Sequence, residues 1–213
     1  MNHTPYTPQL RGLYAITPDP PPEPERLTEQ VALAIQGGAR LIQYRDKHSG
    51  SERRRRYIER LLAVCRAADV PLLINDDLEL AAELAADGVH LGRGDPGPLL
   101  ARRLLGEEAI IGVSCYDQLA RAEWAQDAGA SYVAFGSFFP SSTKPNAVRP
   151  DLCLLTQARL RLRLPLVAIG GITPHNGGSL ISAGADLLAV VSGLFSQPDI
   201  AAAARAYADL FDN

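Results

Sequence analysis

Two aspartates and three cations stand where short apolar runs give way to polar residues. Asp76 closes "PLLIND", and Asp95 closes "GVHLGRGD". Arg45 and Lys47 lie in "QYRDK", and Lys144 lies in "FGSFFPSSTKP" beside the hydroxyls of Ser141 and Thr143. Two carboxylates that reach one point suit a hard divalent cation such as Mg2+. Lysine and arginine around them suit a polyanion. Gly170–Gly171 and Val191–Ser192 end two further runs and offer backbone N–H groups to a phosphate. An acidic pair, a cationic cluster and a separate phosphate seat together point to two phosphorylated ligands. Gln43, Asn75 and Ser114 add neutral polar groups at the ends of "LIQ", "LLIN" and "IIGVS". Each feature also has a plainer reading. Either aspartate could cap the helix that follows it, the double glycine could be only a tight turn, and a lone lysine in a polar loop is usually solvated. Those readings would have to hold at all of these run ends at once, which weighs against them.

The elements that must position these residues repeat along the chain. "GGARLIQYR", "AADGVHLG", "DAGASYVAFG" and "SAGADLLAVVSG" each carry a helix-like segment into Gly and Ala, after which a strand begins. Glycine just past a helix end supplies the left-handed cap, and small side chains let a helix lie close to a sheet. Four more strands read as "GLYAIT", 71–76, 109–114 and 164–171. Their near-continuous apolar character predicts parallel strands covered on both faces. The intervening segments have helical periodicity. In "YIERLLAVCRAA", Ile58, Leu61, Leu62 and Cys65 share one face. Eight strand–helix units in 213 residues predict a compact α/β (β/α)8 TIM barrel, with an open six- or seven-stranded sheet as the alternative. No Pro/Gly/Ser linker divides the chain, so residues 1–213 read as a single domain, with "TPDPPPEPE" as the first strand–helix loop. Barrel active sites lie at the carboxyl ends of the strands, and the chemically capable residues cluster there. Neighbouring strands run roughly 4.8 Å apart, so Asp76 and Asp95 could hold one ion.

Composition narrows the partners. A net charge of -3 gives no basic footprint for nucleic acid. The run Arg53–Arg56 points in four directions on a helix and reads as a solvated helix start. No apolar run approaches the ~20 residues that span a bilayer, and "MNHTPYTPQLRG" has neither the basic start nor the apolar segment of a signal peptide. Cys65, Cys115 and Cys153 are widely spaced and odd in number, which fits a reducing cytoplasm. Cys115 follows a strand, yet no motif frames it as a nucleophile. His3, His48, His90 and His175 have no zinc-binding spacing. Small-molecule substrates are the partners expected. A homo-oligomer is compatible with the sequence but not required by it.

From "LYAIT" to "AVVSG" the chain resembles the thiamine phosphate synthase family. The resemblance is carried by "IQYRDK", "LLINDDLELAAELAADGVHLGRGD", "IIGVSCY", "YVAFGSFFPSSTK" and "VAIGGI". "IGGI" alone is common among phosphate-binding barrels; the ordered set is specific. The resemblance implies an Mg2+-dependent transferase that joins hydroxymethylpyrimidine pyrophosphate to hydroxyethylthiazole phosphate and releases pyrophosphate. By position it implies that Gln43, Arg45, Lys47, Asn75 and Ser114 contact the pyrimidine pyrophosphate. Asp76 and Asp95 would bind the metal, and Lys144 would hold the leaving pyrophosphate. Ser141, Thr143 and the backbone of Gly171 and Val191–Ser192 would receive the thiazole phosphate. The chain departs from the usual family pattern at Ser141, commonly Thr, at Arg93, often Gln, and at Tyr116, often His or Asn. Rival readings are a thiazole tautomerase-like barrel, a phosphosugar epimerase and a non-catalytic regulator of the thiamine pathway. The first is expected to carry a histidine in the loop that here reads "GSFF", with Ser137. The second needs metal-binding histidines, and only His90 is near a strand end. The third has no use for the full set of Asp76, Asp95 and Lys144.

Overall fold

The apolar runs fold as parallel strands that close into a barrel. The computed structural model describes residues 10–140 and 148–212. The strands are β1 (Gly12–Ile16), β2 (Ala39–Tyr44), β3 (Leu72–Asn75), β4 (Gly88–Leu91), β5 (Ile110–Tyr116), β6 (Tyr132–Gly136), β7 (Leu166–Ile169) and β8 (Leu187–Val190). Each pairs with the next, and β8 pairs back onto β1 through Leu187–Gly12 to Val190–Ala15. The open-sheet alternative is excluded by that last pairing. Between the strands run α1 (Pro24–Gln36), α2 (Ser51–Ala67), α3 (Leu78–Glu83), α4 (Pro98–Leu105), α5 (Leu119–Asp127), α6 (Cys153–Arg161) and α7 (Gly177–Ser182). Two more helices, α8 (Ser192–Phe195) and α9 (Ile200–Ala208), follow β8. The proline-rich segment is the β1–α1 loop, and Pro24 starts α1, where its missing N–H costs nothing.

The pleat divides the core in two. Leu13, Ile42, Ile74, Val113 and Phe135 point outward and pack under the helices. Tyr14, Leu41, Leu73, Tyr132 and Val167 point inward and fill the barrel. On α2 the face expected to be apolar is buried: Ile58, Leu61, Leu62 and Cys65 all sit against the sheet. The arginine run at the start of that helix is tied to neighbouring elements. Arg53 pairs with Glu23 at 3.6 Å, Arg54 with Asp77 at 2.8 Å and Arg55 with Glu83 at 2.5 Å. Such half-exposed pairs add little stability each.

One strand differs from expectation. β5 does not stop at Ser114 but continues to Tyr116, with its register against β6 shifting between those two residues. The shift lets the chain leave the sheet with Tyr116 in the left-handed region, φ 59°, and turns that ring toward the mouth. No helix among the described residues is long and apolar enough to cross a membrane.

Candidate active site

Inside the barrel, polarity rises toward the carboxyl ends of the strands. Leu41 and Leu73 lie deep, and the next inward positions are Gln43 and Asn75. The same alternation brings His90 and Ser114 to that level on β4 and β5. They open onto a pocket of about 810 Å3, the size of a small-molecule site. Gln43, Arg45, Asn75, Ser114, Gly171, Val191 and Ser192 all line it, as the sequence reading expected.

The cationic and acidic residues gather at one side of this mouth. The backbone N–H of Arg45 donates to Thr17 Oγ1 at 2.9 Å, tying the end of β2 to the end of β1. Its guanidinium is ion-paired with Asp19, a nearly buried residue of the proline-rich loop. Asp46 accepts from the N–H groups of His48 and Ser49 and so folds the turn that carries Lys47. Lys47 Nζ then lies 2.8 Å from Asp76 Oδ2. Asp76 follows Asn75 directly, has a left-handed backbone with φ 63°, and donates its N–H to the carbonyl of His90 at 2.9 Å. Aspartate tolerates that conformation better than most residues.

Asp76 and Asp95 are within hydrogen-bonding reach of each other. Partial burial and the neighbouring Asp76 raise the Asp95 carboxyl above the usual aspartate range. Burial pushes Asp76 the same way, but Lys47 and the Asp95 carboxyl outweigh it and bring Asp76 below that range. Two carboxyls this close disfavour each other's second charge, which separates the directions of their shifts. Asp95 also accepts from Gly92 N at 2.6 Å. Neither aspartate caps a helix. Asp77 caps α3, accepting from Leu80 N at 3.0 Å, and Gly97 precedes α4. Lys47 and the two aspartates lie off the wall of the main pocket. Asp95 faces a smaller cleft of about 220 Å3, and Arg93 lines both cavities. Among the described residues, no group of three His, Cys, Asp or Glu side chains comes together as a metal site.

Across the barrel, β7 is followed directly by Gly170 and Gly171, both left-handed with φ 104° and 62°. A Cβ on Gly171 would stand 2.2 Å from the carbonyl oxygen of Pro140, so only glycine fits beneath the β6–α6 loop. Ser192 opens the short α8, whose first N–H groups have no acceptor within the helix. Ser141, Thr143 and Lys144 lie outside the described residues.

Several residues of the mouth were given no role by the sequence reading. Asp19 read as loop filler among prolines, although an acid facing "QYRDK" is a natural partner for Arg45. Tyr14 and Tyr132 read as strand body. Arg93 and Tyr116 pair, the guanidinium 4.9 Å from the ring centroid, and both line the pocket. Cys115 is buried, and burial pushes its thiol up to about 12, so it is no nucleophile.

Sequence and structure comparisons agree with this fold. A family model described as thiamine monophosphate synthase matches residues 13–194. This chain belongs to that family. Membership makes it a transferase of thiamine biosynthesis. It is 54% identical to the thiamine-phosphate synthase of Nitrosococcus oceani over 202 residues, covering 95% of this chain and 93% of that one. With the thiamine-phosphate synthase of an Azoarcus species the identity is 52%, covering 95% and 98% of the two chains. Among solved structures, a thiamine phosphate pyrophosphorylase from Pyrococcus furiosus superposes with a TM-score of 0.83 at 30% identity, covering 96% of each chain. A 3-hexulose-6-phosphate synthase has a TM-score of 0.69 at 18% identity over 94% of this chain and 99% of its own, a likeness of fold alone.

Proposed function

We propose that this thiamine monophosphate synthase family member joins hydroxymethylpyrimidine pyrophosphate to hydroxyethylthiazole phosphate, giving thiamine phosphate and pyrophosphate. The observation that carries the reading is the pairing of Asp76 and Asp95 beside Lys47, at the edge of a pocket whose inner wall sets the neutral polar groups of Gln43, Asn75 and Ser114 among apolar strand residues. A charged rim over a neutral polar interior suits a ligand with a pyrophosphate tail and a heteroaromatic head.

The donor set fits Mg2+. Two carboxylates are the usual protein share of such a site, with substrate phosphate oxygens and water completing it. Asp76 and Asp95 would hold the ion, and two carboxylates so close together make a place where a cation is favourable. When bound, Mg2+ would neutralise charge on the pyrophosphate as it leaves. Arg45 and Lys47, held at the mouth by Asp19 and Asp76, would add positive charge from the protein side, and Lys144 is assigned the same role by its place in the sequence. Gln43, Asn75 and Ser114 hold the pyrimidine head. The bond from the exocyclic carbon to the pyrophosphate oxygen breaks, and its electron pair leaves with the oxygen. The ring's amino group stabilises the resulting cation. The thiazole nitrogen then donates its lone pair to that carbon. That nitrogen carries no proton, so no general base is required. Gly171 and Val191–Ser192 seat the thiazole phosphate through backbone N–H groups, with Ser141 and Thr143 adding hydroxyls.

Ser137 argues against the tautomerase-like reading. It stands where that group is expected to carry a histidine, and its hydroxyl donates to Phe139 O at 3.1 Å. The test is an assay of purified protein with both substrates and Mg2+. Thiamine phosphate and pyrophosphate should appear in equal amounts and disappear with excess chelator. Absence of product with both substrates present would overturn the function, and undiminished product in chelator would overturn the metal assignment.

A further inference from the structure

Beneath the pocket, five side chains from five strands form an unbroken hydrogen-bonded line. Gln43 Nε2 donates to the Tyr14 hydroxyl. The Tyr14 and Tyr132 hydroxyls are 2.7 Å apart, Tyr132 Oη is 2.8 Å from His90 Nδ1, and His90 Nε2 is 2.8 Å from Ser114 Oγ. The interior of the line is closed to solvent: Tyr14 is 1% exposed and Tyr132 0%. Burial also raises both phenols far above their usual range, so each remains a hydroxyl with one hydrogen to give. The seat of Tyr132 is specific. A Cβ on Gly112 would fall 2.0 Å from the ring's Cζ, so the neighbouring strand leaves room for this ring by carrying no side chain.

The line has a direction. An amide nitrogen can only donate, so Tyr14 accepts from Gln43 and gives its single hydrogen to Tyr132. Tyr132, accepting there, gives its own hydrogen to His90 Nδ1. A neutral imidazole that accepts at Nδ1 carries its hydrogen on Nε2, and that hydrogen goes to Ser114 Oγ. The pocket end of this line is then fixed in orientation. With Nε2 held on Tyr14, the Gln43 carbonyl oxygen, an acceptor, is turned to one place and the second amide hydrogen to another. Ser114, having accepted from His90, keeps its hydroxyl hydrogen to donate and one lone pair.

We infer that Tyr14, Tyr132 and His90 are positioning residues that fix this polarity, so that Gln43 and Ser114 together select a ring edge with an N–H donor and a nitrogen acceptor. An aminopyrimidine has that edge. Its oxo counterpart presents a carbonyl acceptor and a ring N–H donor, the opposite pattern. The inference rests on the proposed pyrimidine seat and adds the device that tells one pyrimidine from another. Without the line, the Gln43 amide could turn over and meet either pattern.

The test compares binding of the aminopyrimidine pyrophosphate and its oxo counterpart by calorimetry, in the wild type and in Tyr14→Phe and Tyr132→Phe. Each substitution removes one oxygen and keeps the ring. Wild type should prefer the amino compound by about tenfold or more, the worth of one to two hydrogen bonds. Each variant should lose most of that preference while binding inorganic pyrophosphate as before. Should Tyr132→Phe fail to fold, Tyr14→Phe decides alone. Combining Tyr14→Phe with Ser114→Ala supplies a second readout. The line joins these residues only through Tyr132 and His90, so their effects on amino-compound affinity should be non-additive. Undiminished preference in the folded variants, or strict additivity, overturns the inference while leaving the proposed function standing. A wild type that binds neither pyrimidine compound and forms no product overturns both.

Discussion

At the scale of single residues, the adjacent aspartates Asp76 and Asp77 have separate duties. Asp77 caps α3, which frees the Asp76 carboxylate to face Lys47 and Asp95. Replacing Asp76 or Asp95 by Asn should therefore cut turnover by about 100-fold or more, a few kcal/mol of barrier, with little loss of thermal stability. Steady-state rates across a Mg2+ titration check this, and near-normal rates at low Mg2+ would dismiss the metal role. The cysteines give a second prediction. Burial pushes the Cys65 and Cys115 thiols up to about 12, so at pH 8 both are protonated as well as enclosed. Cys153 is exposed. A thiol-reactive chromophore should therefore modify one cysteine in the folded protein and all three after denaturation. Rapid labelling of a second thiol under native conditions would contradict the packing around β5 or α2. Asp76 and Gln43 were legible in the sequence because each closes an apolar run, and Asp95 because it follows one by four residues. Tyr14 and Tyr132 were not, and His90 was noted only as lying near a strand end, because their importance depends on the phase of the pleat. Once Gln43 and Asn75 are put at the mouth, the same alternation in "GVHL" turns His90 inward beside them.

At the scale of elements, the strand–helix alternation was legible because parallel strands buried on both faces leave long apolar runs. Their ends were less so. The run 109–114 gave no sign that β5 continues to Tyr116, since that continuation depends on a register shift against β6 rather than on local composition. The sequence reading allowed Asp76 as a helix cap; the structure gives that duty to its neighbour Asp77, an equally good capping residue. The structure makes the choice testable. Asp77→Ala removes the bond to Leu80 N and the ion pair to Arg54. It should cost about 0.5–2 kcal/mol of stability, the usual range for losing a cap, while leaving the rate largely intact. Thermal denaturation alongside an activity assay separates this from Asp76→Asn, which should do the reverse. Equal effects of the two substitutions on the rate would mean that α3 itself, and not the Asp76 side chain, orders the mouth.

At the scale of the whole molecule, the barrel keeps stability and chemistry at opposite ends. Arg102, on α4, was not noticed in the sequence, where it reads as one more surface arginine. In the fold it is buried at the end away from the mouth. Its Nη1 donates to the carbonyls of Gly106, Glu107 and Ala109, and its Nη2 to Gly129 O and Ser131 Oγ. One guanidinium thus ties the approach to β5 to the approach to β6. The planar fork reaches all five acceptors at once, which a lysine ammonium cannot do. Arg102→Met would remove all five of these bonds, leaving Glu107 O and Gly129 O without the guanidinium and Gly106 O, Ala109 O and Ser131 Oγ with only their remaining contacts. The expected cost is about 3 kcal/mol or more, which for a chain of this length lowers the melting temperature by roughly 6–12 °C. Arg102→Lys should recover only part of that loss. Both variants, assayed at a temperature where they remain folded, should keep their rate and both Michaelis constants within about twofold, because nothing they contact lines the pocket. Calorimetric melting and steady-state kinetics on the same preparations decide the matter. A variant that melts normally yet turns over slowly would show that the lower rim of the barrel controls the mouth, and the separation of the two ends would have to be abandoned.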